Sequence, residues 1–197
     1  NEDSSAPIDS TFNFTVNNVN DAPVLTGDLA ANVDEGATYV ITGTDLGYTD
    51  VDDVDAGVTF TTGSLVNGKI QVNGVDATSF TGTQLTAGQV TFVHDGSETV
   101  AASFDVNVED GNEDVSTPVD QTFNFTVTPT NDAPILTGDL SAAVDEGDTY
   151  VITGTDLGYT DVDDVDAGVT FTAGSLVNGK IQVNGVDATS FTGTQLT

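Results

Sequence analysis

The sequence has no cysteine, no methionine, no tryptophan and no arginine, and only two lysines among its 197 residues. Without cysteine there is no disulfide framework and no thiolate chemistry. Secretion stays open, because metal ions can staple an extracellular domain in place of disulfides. Lys69 and Lys180 stand against 32 Asp and Glu, for a formal net charge of −30. That balance argues against nucleic acid and anionic membranes as partners, since Lys and Arg are what meet phosphate. No apolar run approaches the roughly 18 residues of a membrane-spanning helix, so no membrane insertion is expected. No signal peptide opens the chain at Asn1. With one histidine, His94, no Ser–His–Asp order is legible, and no enzyme is expected. His94 reads as the end of a strand beside Asp95.

What is present is a repeat. Asn20-Asp21-Ala22-Pro23 returns as Asn131-Asp132-Ala133-Pro134, and Thr11-Phe12-Asn13-Phe14-Thr15-Val16 returns at 122–127, both at an offset of 111. Residues 1–86 align with 112–197 without a gap and with 74 identities. Near-identity on surface as well as core points to recent duplication within a long tandem array. If a unit begins near Asn-Asp-Ala-Pro, residues 1–19 hold the last strand of a preceding repeat. Residues 20–130 then form one complete repeat, and 131–197 the front strands of a following one. The expectation is a window on a longer polymer. The alternative is strand donation, in which residues 1–19 of one molecule complete the shortened unit of another.

Within the unit, apolar and polar residues alternate with a period of two. Strands are expected around Leu29–Val33, Thr38–Thr42, Val58–Thr61, Lys69–Asn73, Gln89–His94, Ser103–Val108 and Gln121–Val127. Asn67-Gly68 and Asn73-Gly74 are hairpin-type turn signals. No segment keeps a helical period. Seven short strands in about 110 residues describe an all-β sandwich.

The acidic residues gather at strand ends. Asp50-Val51-Asp52-Asp53-Val54-Asp55 puts four carboxylates into six residues with no basic neighbour, and it recurs at 161–166. Carboxylates, carbonyls and amide oxygens are the donors calcium takes, about six to eight at a time. The spacing is not that of an EF-hand, which needs a central Gly and a distal Glu. Asp53 and Asp55 are read as solvated neighbours.

Several of these motifs resemble a bacterial cadherin-like repeat, of the kind found in long surface adhesins beside VCBS and RTX-type sequences. The unit is similar also to repeats of chondroitin-sulfate proteoglycan ectodomains. Asp50-Val51-Asp52 followed by Val58-Thr59-Phe60 resembles the cadherin DxD element and the strand after it. Glu35 matches the glutamate ending the first strand. Val106-Asn107-Val108-Glu109-Asp110-Gly111 resembles the late calcium-binding strand, and Asn131-Asp132-Ala133-Pro134 the linker. Asp95-Gly96-Ser97-Glu98 loosely resembles the DRE element. Asn18 and Pro129 depart from the linker motif, standing where its first Asp is expected.

The resemblance implies tandem seven-stranded Greek-key sandwiches with Ca2+ at the junctions. One junction would use Glu35, Asp95, Glu98, Asn131, Asp132, Asp161 and Asp163. The other would use Asn20, Asp21, Asp50, Asp52 and Asp110. Of the two acidic loops, the second is expected to be the better completed. The implied function is a calcium-rigidified extender in a bacterial surface adhesin or extracellular filament, outside the cell. Its partners would be neighbouring repeats of the same polymer. The alternatives are a filament subunit joined to other copies by strand exchange, or a module binding polysaccharide or its own kind.

Overall fold

Strict alternation builds the centre of the first unit. Along Ala101–Glu109 every second side chain is buried, namely Ala102, Phe104, Val106 and Val108. Gln121–Thr128 does the same with Phe123, Phe125 and Val127. On a pleated strand a period of two sends alternate side chains to one face, so each strand contributes a whole apolar row.

A computed structural model describes residues 6–111 and 117–196. The first five residues of the expected preceding repeat, and residues 112–116 of the complete one, lie outside the described residues. The chain divides into two compact units, Asn1–Thr128 and Pro129–Thr197.

In the first unit the strands are β1 Val24–Thr26, β2 Ala30–Asp34, β3 Thr38–Val40, β4 Gly47–Thr49, β5 Thr59–Val66, β6 Gly68–Val72, β7 Val75–Asp76 and β8 Ser79–Thr81. The one-turn helix α1 Gly82–Thr86 follows, then β9 Val90–His94, β10 Ala101–Glu109 and β11 Gln121–Thr128. One sheet runs β2-β11-β10-β5-β8 and the other β3-β9-β6-β7, while β1 and β4 form a separate ribbon. All pairs are antiparallel except β11 with β2. Phe92 on β9 joins the two sheets, its ring 4.1 Å from Phe125 and 6.4 Å from Phe104. Phe104 stacks on Phe123 at 5.0 Å. Fully buried Ile41, Leu46, Val58, Phe60, Ile70 and Val90 complete the core. This is the expected all-β sandwich.

Local differences have physical reasons. Asn73-Gly74 takes positive φ at both positions, 51° and 79°, and closes the β6–β7 hairpin as its sequence predicts. Asn67-Gly68 does not close a hairpin. Asn67 turns the chain at φ 56°, and β5 in one sheet gives way to β6 in the other. Gly68 is needed for space instead, since a Cβ there would lie 2.2 Å from the Phe92 ring. The helix α1 has no period to announce it. Thr81 accepts from the Gln84 backbone N–H at 3.2 Å while Gln84 Oε1 accepts from the Thr81 N–H at 2.9 Å, a capping box that starts the turn.

Residues 6–23 form no strand, and Phe12, Phe14 and Val16 are exposed. The identical run at 122–127 is the body of β11.

The second unit is built from β12 Ile135–Thr137 with β13 Gly158–Thr160, β14 Thr170–Thr172 with β17 Ser190–Thr192, and β15 Gln182–Val183 with β16 Val186–Asp187, ending in α2 Gly193–Leu196. Its core is Val169, Phe171 and Phe191. The two rings stack at 5.2 Å, as Phe60 and Phe80 do in the first unit. An apolar cavity of about 340 Å³ in this unit is lined by Leu136, Ile152, Leu157, Tyr159 and Phe171.

Candidate metal centre

The acidic loop begins where β4 ends. Asp50 folds it: its Oδ1 accepts from the backbone N–H of Asp52 and of Asp53, both at 2.7 Å. A carboxylate that caps its own following residues winds the chain into a tight Asx turn. Asp161 does the same for Asp163 and Asp164, at 2.9 and 2.7 Å. With Oδ1 used in this way, the second oxygen is turned inward. Asp50 Oδ2 and Asp161 Oδ2 are both buried without a hydrogen-bond partner. Close packing completes the loop, because a Cβ on Gly57 would lie 2.5 Å from Asp53 Oδ1.

The linker and the end of β10 meet this loop in the first unit. Asp110 is 4% exposed. Its Oδ2 accepts from Asn20 Nδ2 at 2.7 Å, and its Oδ1 is buried with no partner among the described residues. Asp52 Oδ1 accepts from Asn18 Nδ2 at 2.5 Å, and its Oδ2 from the Asp21 backbone N–H at 2.9 Å. Asn18, Asn20, Asp21, Asp50, Asp52, Asp53 and Asp110 therefore converge. Burial, and then the charges of Asp50, Asp110 and Asp52, push the Asp53 carboxyl above the usual carboxylate range. Neither lysine relieves this, for Lys69 pairs with Asp76 at 3.0 Å and Lys180 with Asp187 at 2.9 Å.

Buried carboxylate oxygens without donors are costly unless something positive satisfies them. Asp50 Oδ2 and Asp110 Oδ1 are such oxygens, surrounded by further carboxylates and side-chain amides. The carboxylates, with the Asn20 amide oxygen once that amide turns, form a donor set that suits a hard divalent cation and calcium in particular.

The remaining expected ligands are placed as follows. Glu35 and Glu98 offer carboxylate oxygens within 4.8 Å of each other. Asp95 is occupied with its own turn, taking Ser97 Oγ at 2.6 Å and Ser97 N at 3.0 Å, which hold it below the usual range. In the second unit Asp132 N donates to Asp163 Oδ2 at 2.6 Å, beside Asp161, and Asn131 Nδ2 donates to Asp132 O at 2.7 Å.

Sequence reasoning missed two members of the first cluster. Asp53 lies within the field of Asp50, Asp110 and Asp52. Asn18, marked only as a departure from the linker motif, holds Asp52. Asp55 faces away from the cluster, accepting from Tyr48 Oη at 2.8 Å and Thr86 Oγ1 at 3.2 Å. Burial, then Asp55, pushes the Tyr48 hydroxyl up to about 12, and Asp166 heads the causes that do the same to Tyr159. His94 is buried at the end of β9, its Nδ1 accepting from the N–H of Gly36 at 3.1 Å and of Gly96 at 3.2 Å.

A family profile described as cadherin-like matches residues 23–128, more than half of the chain. The human extracellular matrix organizing protein FRAS1 is 29% identical over 170 residues, which cover 84% of this chain and 4% of that protein. The chain thus spans a small fraction of the length of this relative. No helix among the described residues is long and apolar enough to cross a membrane.

Proposed function

The chain belongs to the cadherin-like family, and from that premise we propose that it is an extracellular structural segment whose acidic linker sites are set by calcium. The observation that carries the reading is the pair of buried, partnerless oxygens, Asp50 Oδ2 and Asp110 Oδ1. They belong to the end of β10 and the loop after β4, and the linker residues Asn20 and Asp21 reach the same place. An ion there would tie the linker to the unit it precedes. Without the ion, like charges repel and the linker is held by a few hydrogen bonds. The matrix relative supports a location outside the cell, where calcium is near 10⁻³ M and modules of this type bind at about 10⁻⁴ to 10⁻³ M. The near-identical 111-residue repeat supports an extender in a surface adhesin or filament, a bacterial one by the resemblance of its motifs, with neighbouring repeats as the partners.

Calorimetric titration of the chain with calcium is expected to show binding in that range. Scattering with and without chelator should show a change in maximum dimension. A flat titration at millimolar calcium removes the calcium reading. An unchanged dimension despite binding removes the stiffening.

One observation favours a second reading. Phe12 and Phe14 are about four-fifths exposed, in a run identical to the one that fills β11. Strand exchange between copies would bury them. Light scattering tests this, since a monomer at all concentrations rules it out.

A further inference from the structure

The two copies of the unit differ at twelve aligned positions, and three of these are consecutive: Asn17-Asn18-Val19 against Thr128-Pro129-Thr130. The one run of consecutive differences thus lies in the linker, directly before the Asn-Asp that enters each acidic site. The structural consequence falls on one carboxylate. In the first unit both oxygens of Asp52 are taken, Oδ2 by the Asp21 N–H and Oδ1 by Asn18 Nδ2 at 2.5 Å. A carboxylate only accepts, so the amide nitrogen must face it and the amide oxygen points elsewhere. In the second unit the main-chain bond is kept, Asp132 N to Asp163 Oδ2 at 2.6 Å. Pro129, however, has neither a side-chain donor nor an N–H.

An amide donor and a divalent cation compete for the same lone pairs. We propose that Asn18 is a built-in competitor of the cation at the first acidic site, holding Asp52 and the linker in place without an ion and lowering calcium affinity there, a hold that Pro129 removes from the second site. The inference rests on the calcium reading for its affinity half. Its other half, the hold itself, is a property of the ion-free chain. The two linkers of one repeat array are then graded: the first carries an amide hold on its acidic loop before calcium arrives, and the second lacks that amide.

The test uses the full chain with Asn18→Ala and, reciprocally, Pro129→Asn, read residue by residue by NMR. Asn18 lies in an exposed segment outside every strand, so its replacement leaves the core intact. In calcium-free buffer, Asn18→Ala should speed hydrogen exchange at the Asp21 N–H roughly three- to tenfold, the effect of one net hydrogen bond. In a calcium titration the same variant should tighten binding at Asp52 by a similar factor. Pro129→Asn should weaken it at Asp163. Weaker calcium binding by Asn18→Ala would overturn the proposal, because the side-chain carbonyl would then be a ligand. Unchanged exchange together with unchanged affinity would also overturn it. A wild-type chain that binds no calcium up to about 10 mM, well above the range of extracellular modules, overturns the competition along with the calcium reading. The Asp21 exchange rates then still decide whether the amide holds the linker.

Discussion

Asp110 shows what a single residue contributes. It is a buried carboxylate with one oxygen satisfied by Asn20 and the other by nothing among the described residues. In the ion-free protein it is a liability, a desolvated charge beside Asp50, Asp52 and Asp53. Replacing it by asparagine removes the charge and keeps the shape. Asp110→Asn is therefore expected to raise the calcium-free stability by about 1 kcal/mol in urea unfolding, while weakening calcium binding at the first site at least tenfold by calorimetry. The two effects have opposite signs. A loss of stability without calcium would mean that Asp110 serves the fold and not the ion. The tyrosines allow a second residue-scale prediction. Tyr48 and Tyr159 donate to Asp55 and Asp166, and both hydroxyls are pushed up to about 12. Tyr39 and Tyr150, which donate to Asp45 and Asp156, are raised as well. A folded-state value above the unfolded one means the bonds are complete below the unfolded tyrosine value of 10 and are lost as pH rises through the folded one. Alkaline titration by ultraviolet absorbance should show two tyrosines ionising near 12 and none at the ordinary value. Asp55→Asn should bring Tyr48 down. Four tyrosines titrating together near 10 would refute the bonding.

At the scale of elements, the glycines separate packing from turn formation. A Cβ on Gly68 would meet Phe92 Cζ at 2.2 Å and the Val93 carbonyl at 2.7 Å, whereas one on Gly63 would meet nothing within 4 Å. Gly68→Ala should therefore cost about 2 to 3 kcal/mol, in the range of overpacked cores, and Gly63→Ala well under 1 kcal/mol. Denaturant melts of the two variants check this, and equal losses would sink it. Thr81→Ala, which removes the cap of α1, should cost about 1 kcal/mol. What was legible at this scale follows from length. The strands with three or more buried residues at period two, β9, β10 and β11, stand in the sequence almost as they fold. The ribbon β1–β4 and the strand β8 have three residues each, too few for a period to show. The helix α1 has one turn, and only Thr81 with Gln84 three residues on could have signalled it. Asn67-Gly68 misled because an Asn in left-handed conformation serves a crossing between sheets as well as a hairpin. In the acidic site, the carboxylates of the loop could be read from their crowding. Their grouping with Asp110 came only from the family resemblance and not from spacing, since 55 residues of chain and six strands of the sandwich separate it from Asp55. Asn18 was hidden for another reason, because a neutral amide carries no signal until its partner is known.

For the whole molecule the dominant fact is charge. A net −30 on 197 residues loads the compact state with self-repulsion that any counterion reduces. Simple salt screens it over a Debye length of about 10 Å at 0.1 M. Screening acts alike on scattered surface carboxylates and on crowded ones. A coordinated ion differs, because it must satisfy specific buried oxygens, here Asp50 Oδ2, Asp110 Oδ1 and Asp161 Oδ2. Thermal unfolding separates the two contributions. Calcium at about ten times its dissociation constant should add about 1.4 kcal/mol per site by mass action, which raises Tm by roughly 5 to 10 °C for a unit of this size. Sodium chloride at matched ionic strength should raise it by less than half as much. Magnesium, which demands tight octahedral geometry and gives up its waters reluctantly, should resemble sodium more than calcium. The variant Asp110→Asn turns the comparison into a decision. If the repulsion is general, its calcium response should remain that of the wild type, since one charge in thirty has gone. If the site is real, the calcium increment at the first unit should vanish while the sodium increment stays.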